Sequence, residues 1–356
     1  MGSLQIMLED LFRRLEVDYV FPPRSSSQAL SLGAAISPEL ACLPLKITLG
    51  NMIQGLRAGA DTIVMMGGWG PCRFGYYSQI QKIVLKRAGY KFKMLTVEPP
   101  SRGLSHFTSP FKFLAPGIST RALWNIVRRS FQKGRAVDLI EKACLQNHCY
   151  VTEKNKLAQL KKQTLYLIDR AESKNEINEA LRVGLKTIDS LKTEDKQPVL
   201  KIGIVGEFYL LLEPFVNFDI ENYLGSKGVY LERSVYMSDW ISPSGKNVVG
   251  GHRQKEIEKL ADPFLSQWVG GEGQVTIGHT ISFAKRDFDG VIHLLPFTCM
   301  PELIAQSILP AVQRQYDIPI LTLVVDEQTG RAGVVTRLEA FIDLLLARKN
   351  EMLLRN

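Results

Sequence analysis

Short apolar runs in this chain alternate with longer segments whose apolar residues recur every three or four positions. Apolar runs of this length are typical of buried strands, and the longer periodic segments are typical of helices. Strands are predicted at Thr62–Met66, Phe92–Val97, Val199–Val205, Gly290–Leu295 and Pro319–Val325. Helices are predicted over about 4–16, 77–88 and 304–315. This alternation indicates an α/β fold with parallel sheets.

Two stretches of the chain repeat the same order of features. GADTIVMM, from Gly59, leads into a turn with Cys72, then a helix and a strand; DFDGVIHLL, from Asp287, leads into a turn with Cys299, then a helix and a strand. LEDLFRRLEVDYVFPP likewise resembles IENYLGSKGVYLERSV. A short strand is predicted at Val17–Phe21 and an extended segment at Val229–Tyr236. The second stretch opens with the strand KIGIV, which has no counterpart ahead of the first, so the first half either lacks a strand or is truncated.

The region between the two stretches predicts helices, because Leu157, Leu160, Thr164 and Leu167 fall on one helical face. We therefore predict two similar Rossmann-like (flavodoxin-like) parallel-sheet halves, residues 1–119 and 197–356, joined by a helical region over 120–196. Two further local predictions concern the second half. Glu213–Gly225 has a helical pattern, and Thr336-Arg-Leu-Glu339 has the capping-box pattern that begins a final helix.

Composition limits the function classes. The chain has 356 residues, enough for two domains, and its 45% hydrophobic and 22% charged residues are typical of a globular protein. Its first helix is amphipathic and no apolar run reaches about 18 residues, so neither a signal peptide nor a membrane partner is predicted. We expect a cytoplasmic protein with reduced thiols. The net charge of +8 lies largely along helices, as solvated faces, so no nucleic-acid partner is predicted.

Three of the five cysteines stand where parallel α/β sheets present ligands. Cys72 and Cys299 each follow a strand of the repeated pattern, and Cys42 lies in PELACLPLK just before a predicted helix. Ligands bind at the carboxyl ends of such strands, and equivalent turns of a duplicated protein can face each other across a cleft. Thiolates that converge there make a site for a soft metal. We therefore predict that Cys42, Cys72 and Cys299 hold a metal group.

The residues around these cysteines suit a bulky anionic group. Gly68 and Gly70 permit close approach of the backbone, whose N–H groups can bond to cluster sulfurs. Lys46 and Arg73 can offset negative charge. These four residues are the predicted cofactor-binding set. The nearby sequence also offers three carboxylates as oxygen donors, Glu39, Glu207 and Glu302.

The spacing of the cysteines alone does not exclude that they are packed core residues and bind no metal. Free cysteines commonly pack as small hydrophobic residues, and the separations between Cys42, Cys72 and Cys299 match no compact iron–sulfur or zinc motif. Cys144 and Cys149, with His148 between them, suggest zinc, but packed helix cysteines are favoured. His293 lies within an apolar strand and is interpreted as a hydrogen-bonded core residue.

Four ordered segments carry a resemblance over nearly the whole chain: PELACLPLK, GADTIVMMGGWGPCRFGYY, PFTCMPE and DEQTGRAGVVTRLEAF. GEFYLLLEPFVNF, from Gly206, adds to them. Together they resemble the 2-hydroxyacyl-CoA dehydratase component D superfamily. More narrowly, the chain resembles the stand-alone relatives in this superfamily, the CoA-substrate-specific enzyme activase-related proteins.

The resemblance implies a [4Fe–4S] cluster on Cys42, Cys72 and Cys299, with one iron open to water or substrate; a double-cubane cluster is the alternative. It also implies an ATP-hydrolysing activator with an actin-like fold as electron donor. A homodimer is one assembly that the chain could form. The expected activity is that of an iron–sulfur reductase or a dehydratase-like lyase acting on a small or CoA-linked substrate, in an anaerobic setting. The alternative function is a non-catalytic scaffold with zinc or no metal on the same cysteines.

Overall fold

The computed structural model describes residues 4–68, 71–98, 104–193, 196–240 and 252–355. Within these ranges the chain is a mixed α/β protein with two separate sheets, and all strand pairs in them are parallel. The alternation of apolar runs with helical segments predicted this class of fold.

The first sheet has two strands, surrounded by helices. Its elements are α1 (Leu4–Arg14), α2 (Ser27–Ala34), α3 (Leu43–Arg57), β1 (Thr62–Met66), a 3₁₀ helix (Arg73–Tyr76), α4 (Tyr77–Arg87), β2 (Lys93–Val97) and α5 (Leu104–Leu114). β1 and β2 pair from Thr62↔Lys93 to Met66↔Val97. The prediction of a strand at Val17–Phe21 is wrong: this segment is irregular. An extended segment becomes a strand only when a neighbour completes its hydrogen-bond ladder, and here no described strand pairs with it.

A layer of long helices follows, as predicted. It consists of α6 (Thr120–Asn147), α7 (Lys154–Arg170) and α8 (Lys174–Ser190). Apolar residues from all three helices, among them Ile140, Ile168 and Ile188, form one core cluster. Their lysines lie mainly on the outer faces. Lys133 is the exception, because it is buried against Asp10 of α1, 2.8 Å from its carboxylate.

The second sheet has four strands in the order β4-β3-β5-β6. Its elements are β3 (Leu200–Gly206), α9 (Phe208–Leu212), α10 (Ile220–Ser226), β4 (Val229–Arg233), α11 (Met237–Trp240), α12 (His252–Ala261), α13 (Gly273–Ala284), β5 (Gly290–Pro296), α14 (Met300–Tyr316), β6 (Ile320–Val325) and α15 (Arg331–Arg355). β3 and β5 are central and almost wholly buried, because each pairs on both edges.

Two local predictions in this half are corrected. Of Glu213–Gly225, only the part from Ile220 is helical; Pro214 and the left-handed backbone of Asp219 interrupt the pattern before it. The final helix begins at Arg331, not at Thr336. The Thr336 hydroxyl donates to the carbonyl of Ala332, one turn back, so this residue lies inside the helix and does not cap it.

Helix α3 joins the two sheets. Leu43 and Ile47, four residues apart, belong to the core of the four-stranded sheet, whereas Leu45 and Leu49 belong to the core beside β1. The helix is therefore buried on two faces, which explains its unusual share of apolar residues. Its amino-terminal end, preceded by Cys42, is held between the two sheets.

Candidate functional site

Each of the three predicted cysteines immediately precedes a helix. Cys42 precedes α3, Cys72 precedes the 3₁₀ helix, and Cys299 precedes α14; all three have extended backbones and cap no N–H group with their side chains. Pro44 and Pro301 lie in the first turns of two of these helices, where the missing N–H is not needed. The N–H groups of a helix start favour negative charge, so these positions suit thiolates.

The three cysteines line one cavity of about 1590 Å³. Burial, with smaller contributions from the neighbouring Glu207, Cys42 and Glu272, raises the pKa of Cys72 to about 11. Burial also raises the pKa of Cys42 and of Cys299, the latter strengthened by Glu207 and Glu302. These thiols are therefore protonated at neutral pH until a cationic group enters. Binding of a metal group at this site must release protons.

Arg73 connects the three cysteine-bearing loops. One end of its guanidinium donates to the carbonyl of Leu40, at 3.0 Å, and the other donates to the carbonyl and hydroxyl oxygens of Thr298. The Thr298 hydroxyl also donates to the Leu40 carbonyl, at 3.2 Å. Leu40 and Thr298 lie just ahead of Cys42 and Cys299, so one side chain next to Cys72 sets the spacing of all three loops.

The other predicted cofactor-binding residues have different environments. Gly68 lines the cavity, and a Cβ there would lie 3.1 Å from the ring of Phe74, which would have to shift by a few tenths of an ångström. Lys46 is buried and pairs with Glu327 across the two halves, and it does not line the cavity. Gly70 lies outside the described residues. A role for these residues in holding a cofactor stays a prediction.

The predicted acids divide into two cavity residues and one surface residue. Glu39 is exposed and away from the cavity, whereas Glu207 and Glu302 line it. The Glu207 carboxylate accepts from the backbone of Leu210 at 3.0 Å; burial, with a contribution from Glu302, raises its pKa to about 7. It can therefore hold a proton at the cavity wall near neutral pH.

Glu302 belongs to a buried polar chain. Its carboxylate is 2.8 Å from His293 Nε2 and accepts from the Thr276 hydroxyl at 3.1 Å, while the other ring nitrogen of His293 is 3.4 Å from the Thr322 hydroxyl. His293 and Glu302 are fully buried. The prediction that His293 is a hydrogen-bonded core residue is confirmed.

Sequence reasoning missed two parts of the site. The hydroxyl of buried Tyr77 is hydrogen-bonded to the thiol of Cys42, and the loop ahead of Glu272 packs on Cys72. Gly270 and Gly271 have left-handed backbones, and a Cβ on Gly271 would lie 3.9 Å from the Cys72 sulfur and 3.1 Å from Pro301. The motif GGEG at 270–273 was the signal available for this loop.

Cys144 and Cys149 pack in the helical layer, the reading favoured from the sequence. Cys144 belongs to the apolar core of that layer, and the Cys149 thiol donates to the carbonyl of Gln146 at 3.6 Å. Burial raises the pKa of both thiols to about 11. Neither residue lines the cavity.

In the described part of the chain, no group of three or more His, Cys, Asp or Glu side chains is close enough to hold a metal ion. Sulfurs that share one zinc ion lie about 4 Å apart, since each Zn–S bond is about 2.3 Å. Sulfurs on separate irons of a cluster are spread more widely. That Cys42, Cys72 and Cys299 hold a metal group therefore stays a prediction.

Comparison with known proteins adds no family. No protein-family model matches the chain, and no curated protein matches it. Among the described helices, none has the length and apolar character needed to cross a membrane.

Proposed function

We propose that this chain is an iron–sulfur redox protein whose cluster, most simply [4Fe–4S], is held by Cys42, Cys72 and Cys299 between two Rossmann-like halves. The observation that carries the proposal is that these cysteines line one cavity, each at a helix start. The resemblance noted in the sequence supports the same ligand set. When bound, the cluster supplies one-electron chemistry at low potential.

The residues around the cavity have distinct tasks in this proposal. The helix starts behind Cys42 and Cys299 favour the thiolate forms, which offsets the cost that burial imposes on the charged sulfur. Arg73 holds the cysteine loops at a constant spacing through backbone acceptors. Tyr77 bonds to the Cys42 sulfur, and such outer contacts tune a metal group. Glu207 holds or releases a proton at the cavity wall.

The reaction class follows from the resemblance. We propose reduction, or radical dehydration, of a small or CoA-linked substrate, with electrons from an ATP-hydrolysing activator of actin-like fold. A homodimer is the proposed assembly, in the cytoplasm of an anaerobic cell. An open coordination position on the cluster is part of this proposal, because substrate chemistry at a metal needs an exchangeable site.

The second candidate is a scaffold in which the same cysteines hold zinc or no metal. The raised pKa of the three thiols suits its metal-free form, because protonated thiols need no metal. The two candidates differ in which metal the protein contains and in whether it is coloured.

Purification without oxygen separates these candidates. We expect brown protein with iron and acid-labile sulfide in equal amounts, and an electron paramagnetic resonance signal after reduction that changes when cyanide or a thiol is added. Colourless protein with stoichiometric zinc, or with no metal after reconstitution with iron and sulfide, would show that the scaffold reading is right. A signal unchanged by added ligands would contradict the open position alone.

A further inference from the structure

Strand β1 of the first sheet has one edge that no described strand pairs with. Within the described residues β1 pairs only with β2, whereas β5, the strand in the equivalent position of the second half, pairs on both sides. All seven residues of β5 are buried, but of the five in β1 only Ile63 is. The peptide groups along this edge of β1 therefore have no partner strand among the described residues, and such an edge can pair with one more strand.

The cavity runs along this free edge. It is lined by every residue of β1 and by the irregular segment from Val17 to Arg24, whereas of β2 only Val97 lines it. Tyr19 and Val20 in that segment are large hydrophobic residues with 41% and 45% of their surface exposed. The unpaired edge of β1 and this apolar segment thus line the same cavity.

The second half shows what fills the equivalent space. There β3 lies between β5 and β4, and β4 corresponds to the irregular segment at Val17–Phe21. At the start of β3 the backbone N–H of Lys201 donates to the carboxylate of Asp289, at 2.6 Å. Asp61 stands at the matching position before β1, lines the cavity and is exposed. The first half therefore keeps the acceptor for a strand that the described residues do not supply.

We propose that the free edge of β1 is a docking slot for one more strand: an extended apolar polypeptide segment, from outside residues 4–355, that adds parallel to β1. In the second half, Gly206 and Glu207 at the end of β3 lie beside the end of β5. By this topology, the carboxyl end of the docked segment lies near Gly68, beside the cysteines. The added strand completes the ladder of β1 and gives the segment at 17–21 a partner.

Two other occupants fit less well. A second copy of the chain offers β3 as its matching sequence, but β3 is already paired on both edges and buried. An acyl chain can cover the apolar walls but cannot hydrogen-bond to the free N–H and C=O groups of β1. Addition of a strand to a sheet edge satisfies those groups directly.

A synthetic peptide with the sequence of Leu200–Gly206, LKIGIVG, tests the slot on the full chain. Hydrogen exchange of the β1 amides should slow about tenfold or more on binding, because newly bonded amides open less often. Exchange in β5 should stay unchanged. The control peptide carries Ile204→Pro, which removes one donor and clashes in a central strand. Oleate is the second control, for an acyl occupant.

A covalent version guards against a peptide too insoluble to bind. The same sequence is joined ahead of α1 through a linker as long as residues 207–219, and melting temperature is compared with that of the proline-bearing fusion. Protection of β1 by the peptide, or a higher melting temperature of the first fusion, supports the slot. No effect of either over its proline control overturns the proposal, as does equal protection of β1 by oleate.

Discussion

At the scale of single residues, the site is a set of thiols whose charge state depends on what binds them. Cys42, Cys72 and Cys299 all have raised pKa values because they are buried near acids. Burial also raises the pKa of Cys144 and of Cys149 to about 11, but both lie in the helical layer and away from the cavity. Burial alone therefore does not distinguish a ligand from a packed cysteine; position at a cavity and at a helix start does.

Serine substitutions test this distinction. We expect C72S, or the same change at Cys42 or Cys299, to lose most of the iron, because an alcohol is a poor ligand for a cluster that thiolates hold. The double variant C144S/C149S is the matched control and should keep its iron, measured as iron and sulfide per chain. Loss of about half the iron or more from the control would contradict the assignment.

Glu207 predicts a pH dependence of stability. Its pKa is raised to about 7 in the folded chain, so the folded state binds a proton more tightly than the unfolded state does. Its carboxyl therefore lowers stability as pH rises from about 4.5 to about 7, by about 3 kcal/mol in total. E207Q should match the native chain at pH 4.5 and be more stable by that amount at pH 8, in urea unfolding of metal-free protein.

Exposed Glu39 gives the control for this measurement. E39Q should unfold at the same urea concentration as the native chain at both pH values. If the advantage of E207Q is the same at pH 4.5 and pH 8, the carboxyl does not titrate in this range and the interpretation of Glu207 is wrong.

At the scale of elements, the three cysteine loops are connected through hydrogen bonds from Arg73. Arg73 reaches backbone acceptors on both other loops, which needs its forked, planar head. R73K keeps the charge but not the fork, so we expect the loops to loosen and thiol reagents to label Cys72 and Cys299 several-fold faster. R87K, at the end of α4, is the control; equal labelling of R73K and native protein would show that Arg73 does not restrain the loops.

The attachment of α1 to the helical layer depends on a buried ion pair. Lys133 lies 2.8 Å from Asp10, which also accepts from Ser130 at 2.9 Å and from Arg14 at 3.1 Å. K133M removes one partner and leaves the carboxylate buried, so we expect about 3 kcal/mol of stability to be lost. The double variant K133M/D10L should recover most of it in urea unfolding. A double variant as unstable as K133M would mean that packing, not the loss of a cation beside the buried carboxylate, explains the lower stability.

At the scale of the whole molecule, the two halves are joined at the site itself. Helix α3 is buried in both cores, Lys46 pairs with Glu327, and Arg73 reaches Thr298. The candidate ligands come from both halves, Cys42 and Cys72 from the first and Cys299 from the second. The site therefore depends on how the halves pack, which no local segment encodes.

Much of the fold could be predicted from local pattern. The predicted bounds of five strands agree with the structure to within one or two residues, at 62–66, 93–97, 200–206, 290–296 and 320–325. A short apolar run between turns is typical of a buried strand, which is why local pattern sufficed. The helical layer followed from the spacing of its leucines and isoleucines. The positions of Cys72 and Cys299 followed as well, since the residue after a parallel strand lies at the edge where its neighbours also end.

What the sequence by itself did not determine depends on contacts between distant residues. Val17–Phe21 has a strand pattern but no partner strand in the described chain, so its backbone stays irregular. The bonds of Arg73 to Leu40 and Thr298, of Tyr77 to Cys42, and of Glu302 to His293 join residues whose proximity only the packed sheets create. Local propensity selects an element, whereas ladders, buried pairs and cavities exist only once two elements meet.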